Sequence, residues 1–130
     1  MTDTAPMLDS ALARWAAATP EAQAVRFAGR AHSYAELSAA SDRVAACLAD
    51  RGAGSGDRIG ILARKSFATI AAVFGVLKAG AAYVPIDPFA PSARIGALLA
   101  SCNLSIVLAD KNGLEALPKG APSPLALDNA

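Results

Sequence analysis

The sequence predicts an α/β fold: a mostly parallel sheet flanked by helices, preceded by an N-terminal helix and a β-hairpin. Three observations carry this. Between residues 58 and 108, short apolar runs alternate with longer stretches of helical periodicity, joined by links of a few residues. The short runs are continuously apolar, as strands covered on both faces are. The order strand, helix, strand, helix, strand favours crossover connections, which make neighbouring strands parallel.

In chain order, Met7, Leu8, Leu12 and Trp15 fall on one helical face, with Ala11 and Ala16 filling in. Thr19-Pro20 ends that helix, because a residue before proline avoids the α region. Residues 24–28 alternate as a short strand. Gly29-Arg30 offers a turn, and Ala31-His32-Ser33 the returning arm. Ser33-Tyr34-Ala35-Glu36 has the capping-box pattern, in which hydroxyl and carboxylate satisfy free amides reciprocally. The helix it opens presents Leu37, Ala40, Val44 and Leu48 on one side and Asp42 and Arg43 to water, and Gly52 supplies a left-handed stop.

Residues 58–62 read as a buried strand. Ser66 caps a helix whose face is Phe67, Ile70, Phe74 and Leu77, and Gly80 ends it. Gly75 inside that helix costs up to about 1 kcal/mol relative to alanine. A close approach of helix to sheet is the expected compensation. Residues 83–86 form a second strand. Pro91 or Ser92 opens a helix with Ile95, Leu98 and Leu99 inward and Asn103 near its end. Residues 104–108 form a third strand. Residues 111–124, rich in glycine and proline, read as loop, and 125–127 as a last short strand.

The chain has 130 residues, one domain's worth, with 54% hydrophobic and 18% charged residues, an ordinary globular balance. A formal net charge of +1 gives no basic excess for nucleic acid and no acidic arm. Cys47 and Cys102 are far apart and make neither a disulfide framework nor a zinc spacing. The first residues carry an acid and no basic segment, unlike a signal peptide. The most apolar stretch, 67–86, is broken by Lys78, glycines and Pro85, whereas a membrane span needs about 20 predominantly apolar residues. A cytoplasmic protein with neither nucleic-acid nor membrane partners is expected.

Several residues invite a chemical reading, and each has a plainer one. Gly52-Ala53-Gly54-Ser55-Gly56 resembles a nucleotide loop, but it leaves a helix and enters a strand, the reverse of what a phosphate at a helix N-terminus requires. It reads as a connector. Pro118-Lys119-Gly120 lacks hydroxyls before the lysine, and Glu115 nearby would repel phosphate. A Cys47–His32–Asp42 triad can be written down, yet Cys47 belongs beside Leu48 on a helix face and spacing shows no triad geometry. One histidine and two distant cysteines make no metal cluster. Asp87 lies at a strand C-terminal end, where α/β sites gather, but Asp-Pro also starts turns. Tyr83 reads as packed, with its hydroxyl at the edge. Ala63-Arg64-Lys65-Ser66 is the basic candidate for a flavodoxin-like phosphate turn.

Two segments carry a family resemblance. Leu77-Lys78-Ala79-Gly80-Ala81-Ala82-Tyr83-Val84-Pro85-Ile86-Asp87-Pro88 resembles, nearly letter for letter, the second core motif of non-ribosomal peptide synthetase adenylation domains. Ser33-Tyr34-Ala35-Glu36-Leu37 resembles the first. Gly56-Asp57-Arg58-Ile59 and Pro91-Ser92-Ala93-Arg94-Ile95 resemble the segments around them, in the same order. The chain is thus similar, over roughly residues 8–110, to the N-terminal part of the adenylate-forming, AMP-dependent synthetase/ligase superfamily. Tyr83 and Asp87 favour the amino-acid branch over acyl-CoA synthetases.

The resemblance implies the partial N-terminal subdomain of that fold. Residues 1–20 would be helix, 24–33 hairpin, 34–110 alternating α/β, and 111–130 loop with a possible edge strand. It implies an enzyme that joins a carboxylate to ATP, with Mg2+, as an acyl adenylate. The acyl group then passes to a thiol, of a carrier protein's phosphopantetheine arm or of CoA. The partners implied are that carrier protein and the remainder of the adenylation domain. The family's phosphate loop, pocket residues, ribose-binding aspartate and catalytic lysine follow the second motif and match no position here. No catalytic, cofactor-binding or metal-ligating residue is therefore carried over. Inactivity alone, with no ATP or Mg2+ bound to this chain by itself, is the expectation, and a non-catalytic interaction module or half of a split enzyme is the alternative.

Overall fold

Helix capping fixes much of the path. In the computed structural model, which describes residues 8–122 and 124–127, Ser33 caps helix α2 (Tyr34–Asp50) with a complete capping box. Its hydroxyl accepts from the Glu36 amide at 3.1 Å, and the Glu36 carboxylate accepts from the Ser33 amide at 3.2 Å. At the other end the amides of Gly52 and Ala53 donate to the carbonyls of Ala49 and Leu48 at 2.9 and 3.0 Å. That is a Schellman stop, with Gly52 at φ +75°.

Ahead of α2 stand helix α1 (Leu8–Ala18) and the antiparallel hairpin of β1 (Gln23–Phe27) and β2 (Arg30–Ser33). The turn is Ala28-Gly29, both at positive φ, one residue earlier than the sequence suggests. Two left-handed residues match the twist of the strands they join. After α2 come β3 (Arg58–Leu62), α3 (Phe67–Lys78), β4 (Ala82–Ile86), α4 (Ser92–Ser101), β5 (Ile106–Ala109), α5 (Lys111–Ala116) and β6 (Pro124–Ala126). The last four strands form one parallel sheet in the order β4-β3-β5-β6.

The sheet is covered on both faces. Ile59, Ile61, Ile106 and Leu108 pack with Ala72 and Val76 of α3 and Leu48 of α2. Leu62, Ile86, Val107 and Ala109 pack with Ile95 and Leu99 of α4. A third cluster joins Leu12, Leu37, Ala40 and Ala71 beneath the hairpin.

Several expectations need correction. Only Leu12 of the α1 face is buried; Leu8 and Trp15 are 57% and 46% exposed, because one turn of α1 reaches the third cluster. Met7 lies outside the described residues. The buried face of α3 is Ala71, Ala72, Gly75 and Val76, with Phe67, Ile70 and Phe74 half-buried beside it. Small residues are needed there because α3 is held between the sheet and α2. The close approach at Gly75 is accordingly to α2, not to the sheet: a Cβ there would lie 2.5 Å from Val44 Cβ and 2.9 Å from Ser41 O. Residues 111–116 are helix, not loop, since Asp110 caps them through the Gly113 amide. Finally, β5 starts at Ile106; Leu104 packs beside the second cluster before the strand begins.

Candidate functional site

An open parallel sheet gathers ligands beyond its strand C-termini, where strand order reverses. From β3 the chain passes to β4 on one side and later returns to β5 on the other, so the reversal lies between β3 and β5. The groups at that point are the turn of residues 63–66 and Asp110.

Asp110 is buried, and both its oxygens are engaged. Oδ1 accepts from the Gly113 amide at 2.8 Å, and Oδ2 accepts from the Arg64 amide at 3.0 Å. One carboxylate thus caps α5 and ties it to the turn leaving β3. Gly113 can only be glycine, because a Cβ would overlap the Leu62 carbonyl. The amide that a phosphate would seek in residues 63–66 already has an anion, supplied by the chain itself. This geometry does not fit a flavodoxin-like phosphate turn.

Clefts flank this point. One of about 640 Å³ lies between β3, β4 and α3, bordered by Arg64, Lys65, Thr69, Asp87 and Phe89. Another of about 480 Å³ lies between the hairpin and the N-terminal ends of α3 and α5, bordered by Phe27, Arg30, His32, Arg64 and Lys111. A smaller apolar groove of about 250 Å³ runs along α2, α3 and β6, away from the strand C-termini.

The sequence candidates scatter. Gly52 to Gly56 connect α2 to β3 at the N-terminal end of the sheet, opposite the reversal. There the Gly54 amide and the Ser105 hydroxyl donate to Asp57, at 2.7 and 2.9 Å, and hold its carboxyl below the usual range. Pro118, Lys119 and Gly120 form an exposed turn. Asp87 is exposed and accepts from the Phe89 amide at 2.9 Å, closing a turn before α4. Tyr83 is 38% exposed on the edge strand β4, less packed than its apolar neighbours suggest.

The imagined triad falls apart into separate pairings. Buried His32 places Nδ1 3.2 Å from Glu36 Oε2 and stacks on Phe67 at 3.8 Å between ring centroids. The Ser33 amide, then the His32 ring, lower the Glu36 pKa. Asp42 pairs with Lys78 at 2.6 Å, which also reaches the Ser38 carbonyl at 3.2 Å. Cys47 is exposed with a free thiol, not inward with Leu48. Among the described residues no group of three His, Cys, Asp or Glu could hold a metal ion, and no helix is long and apolar enough to cross a membrane.

The arrangement is a wall rather than a reaction centre, and likeness to known proteins decides whose wall it is. The family model of AMP-binding enzymes matches residues 12–128. The chain belongs to the AMP-binding enzyme family. Among curated AMP-binding relatives, a plipastatin synthase protein of Bacillus subtilis is 42% identical over 104 residues, covering 80% of this chain and 4% of that protein. A linear gramicidin synthase protein of Brevibacillus parabrevis is 39% identical over 131 residues, covering 98% of this chain and 2% of that protein. The crystal structure of the nonribosomal peptide synthetase FmoA3 with AMPPNP superposes with a TM-score of 0.89 at 33% identity, over 99% of this chain and 14% of that one. The chain therefore spans a few per cent of the length of these curated relatives.

Within the AMP-binding fold, the residues that sequence reasoning missed are Asp110, Arg30 and Lys111. Asp110 could have been found: an aspartate three residues before Gly113, directly after a strand, is an N-cap pattern. The two cations carry no such local signal.

Proposed function

We propose that this chain is the N-terminal scaffold of an amino-acid-activating adenylation domain. The whole enzyme would use ATP and Mg2+ to make an aminoacyl adenylate and pass the acyl group to a carrier protein's phosphopantetheine thiol. The observation that carries this is the run from Leu77 to Pro88. Its likeness to the second adenylation motif is nearly complete, and its residues form a helix end, a Schellman stop and an edge strand. The peptide-synthetase relatives favour this branch over the acyl-CoA synthetases.

ATP does not fit the residues present as a reaction partner. The turn after β3 has its amide taken by Asp110, and Pro118-Lys119-Gly120 follows a helix with no hydroxyl to offer. The chain's own part is to hold the sheet and its crevice in register. Carboxylate-dependent exchange of labelled pyrophosphate into ATP tests this. The 130-residue chain is expected to give none at any amino acid, and exchange above the no-enzyme rate would refute the scaffold reading.

A second reading has one observation of its own. The apolar groove bordered by Val44, Phe67, Leu125 and Leu127 adjoins the edge strand β6, a surface that pairing with more protein would cover. This favours an interaction module or half of a split enzyme. Sedimentation of the chain as a monomer at high concentration, with no binding of a hydrophobic dye, would count against it.

A further inference from the structure

Three cations from separate elements line the 480 Å³ cleft: Arg30 on β2, Arg64 in the turn after β3, and Lys111 in the first turn of α5. All are exposed, and none forms an ion pair among the described residues. The one carboxylate in the wall is Asp110, whose oxygens both accept backbone amides. It tempers the field without closing on any of the cations.

Other donors face the same space. The amides of Phe67 and Ala68, in the first turn of α3, meet no acceptor among the described residues. His32, 6% exposed, engages Glu36 through Nδ1. Its Nε2 has no protein partner and is not sealed from solvent, so it opens on the cleft it lines. Phe27, 36% exposed, adds an apolar border.

We propose that this cleft binds a small-molecule phosphate, free or esterified, through side-chain cations rather than a backbone cradle. Arginine and lysine meet phosphate oxygens with charge-assisted hydrogen bonds, and free amides at a helix start add to the attraction. A phosphate dianion gains more from several cations than a monoanion does. The cleft exceeds one phosphate in size, which leaves room for an organic body beside Phe27. Asp110 sets the affinity: its charge opposes the ligand, so native binding is weak and salt-sensitive. The site is distinct from the family's later phosphate loop and goes beyond the proposed function. Pyrophosphate exchange reads catalysis and this site is read by binding, so either can fail without the other.

The test is an amide-resolved NMR titration of the 130-residue chain with phosphate, pyrophosphate, AMP and adenosine at low and high salt. The phosphate-bearing probes should shift Arg64, Phe67, Ala68 and Lys111, and adenosine should not. Tighter binding of AMP than of phosphate identifies an ester as the source; equal or weaker binding identifies the free anion. Arg64→Gln and Lys111→Gln should each weaken binding about tenfold. Asp110→Asn, which keeps an acceptor for Gly113, should strengthen it about threefold. Arg30→Gln on the hairpin repeats the test if Arg64→Gln loses the native far-ultraviolet spectrum. The proposal is overturned if millimolar probe shifts nothing, or if the cation variants bind as well as the parent. It is equally overturned if a natively folded Asp110→Asn binds more weakly, or if an acidic peptide alone occupies the cleft.

Discussion

Gly75→Ala sets helix propensity against packing, and the structure says which wins. An alanine Cβ would lie 2.5 Å from Val44 Cβ, 2.6 Å from Val44 Cγ1 and 2.9 Å from Ser41 O. Carbon atoms rest about 3.5–4.0 Å apart, so α2 and α3 must separate by roughly 1 Å. A rotamer change cannot relieve contacts to a Cβ and a carbonyl. Overpacking of this kind costs about 1–3 kcal/mol, against a propensity gain of at most about 1 kcal/mol. A net loss of about 1–2 kcal/mol follows. In urea, with a slope of roughly 1.5 kcal/mol/M, the midpoint should fall by about 1 M by circular dichroism. Gly96→Ala in α4 is the control, because nothing lies within 4 Å of its added Cβ. It should gain up to about 1 kcal/mol. Val44→Ala placed on Gly75→Ala removes the Cγ1 overlap alone and should restore only part of the loss. If both alanines raise the midpoint equally, the close α2–α3 approach does not constrain the fold and the reasoning fails.

Further expectations concern caps and charge. Ser33→Ala loses the hydroxyl of the capping box and should cost about 1 kcal/mol in the same urea assay. Gly113→Ala forces the α5 backbone against the Leu62 carbonyl, and should lower the midpoint further than Gly75→Ala does. Glu36 and Asp57 have folded pKa values below their ordinary 4.5 and 3.8, Glu36 chiefly through the Ser33 amide and Asp57 chiefly through the Gly54 amide. Their contribution is therefore full above those ordinary values and is lost as pH falls through the lowered ones. An acid titration of stability should be shallower below pH 4.5 in Glu36→Gln than in the parent, and an unchanged profile would count against the capping-box carboxylate.

Local signals in the sequence were enough for whatever local chemistry decides. The Ser33–Glu36 box, the Ser66 cap and the glycine stops at 52 and 80 each act over four or five residues, and each stands as read. Features settled by distant contacts were not legible. α5 exists because Asp110 caps it while reaching Arg64, 46 positions away, and because Gly113 slides under β3. Within its own six residues, a glycine argues for loop. The side from which Gly75 is approached depends on where α2 lies, which periodicity does not encode. At the site, the convergence of Arg30, Arg64 and Lys111 follows from strand order alone, since the three are far apart in the chain.

The second motif shows how a segment can identify a family without containing its chemistry. Lys78 is held by Asp42 at 2.6 Å and by the Ser38 carbonyl at 3.2 Å, which fastens α3 to α2. Gly80 must adopt φ +84°, which favours glycine over any residue with a Cβ. The Gly80 and Ala81 amides close α3 onto the Leu77 and Val76 carbonyls at 3.0 and 3.1 Å, and Ala81 is buried where a larger side chain would not fit. The Ala82 amide then donates to the Asp57 carbonyl, setting β4 beside β3. Pro85 lies on an edge strand, where a sheet tolerates a missing donor. Asp87 folds the chain back through the Phe89 amide. Each of these choices answers to backbone geometry, so the motif is specific because a helix end, a stop, a strand and a turn must succeed one another within twelve residues. It is a determinant of shape, and the reaction it accompanies has to be furnished by other groups set against that shape.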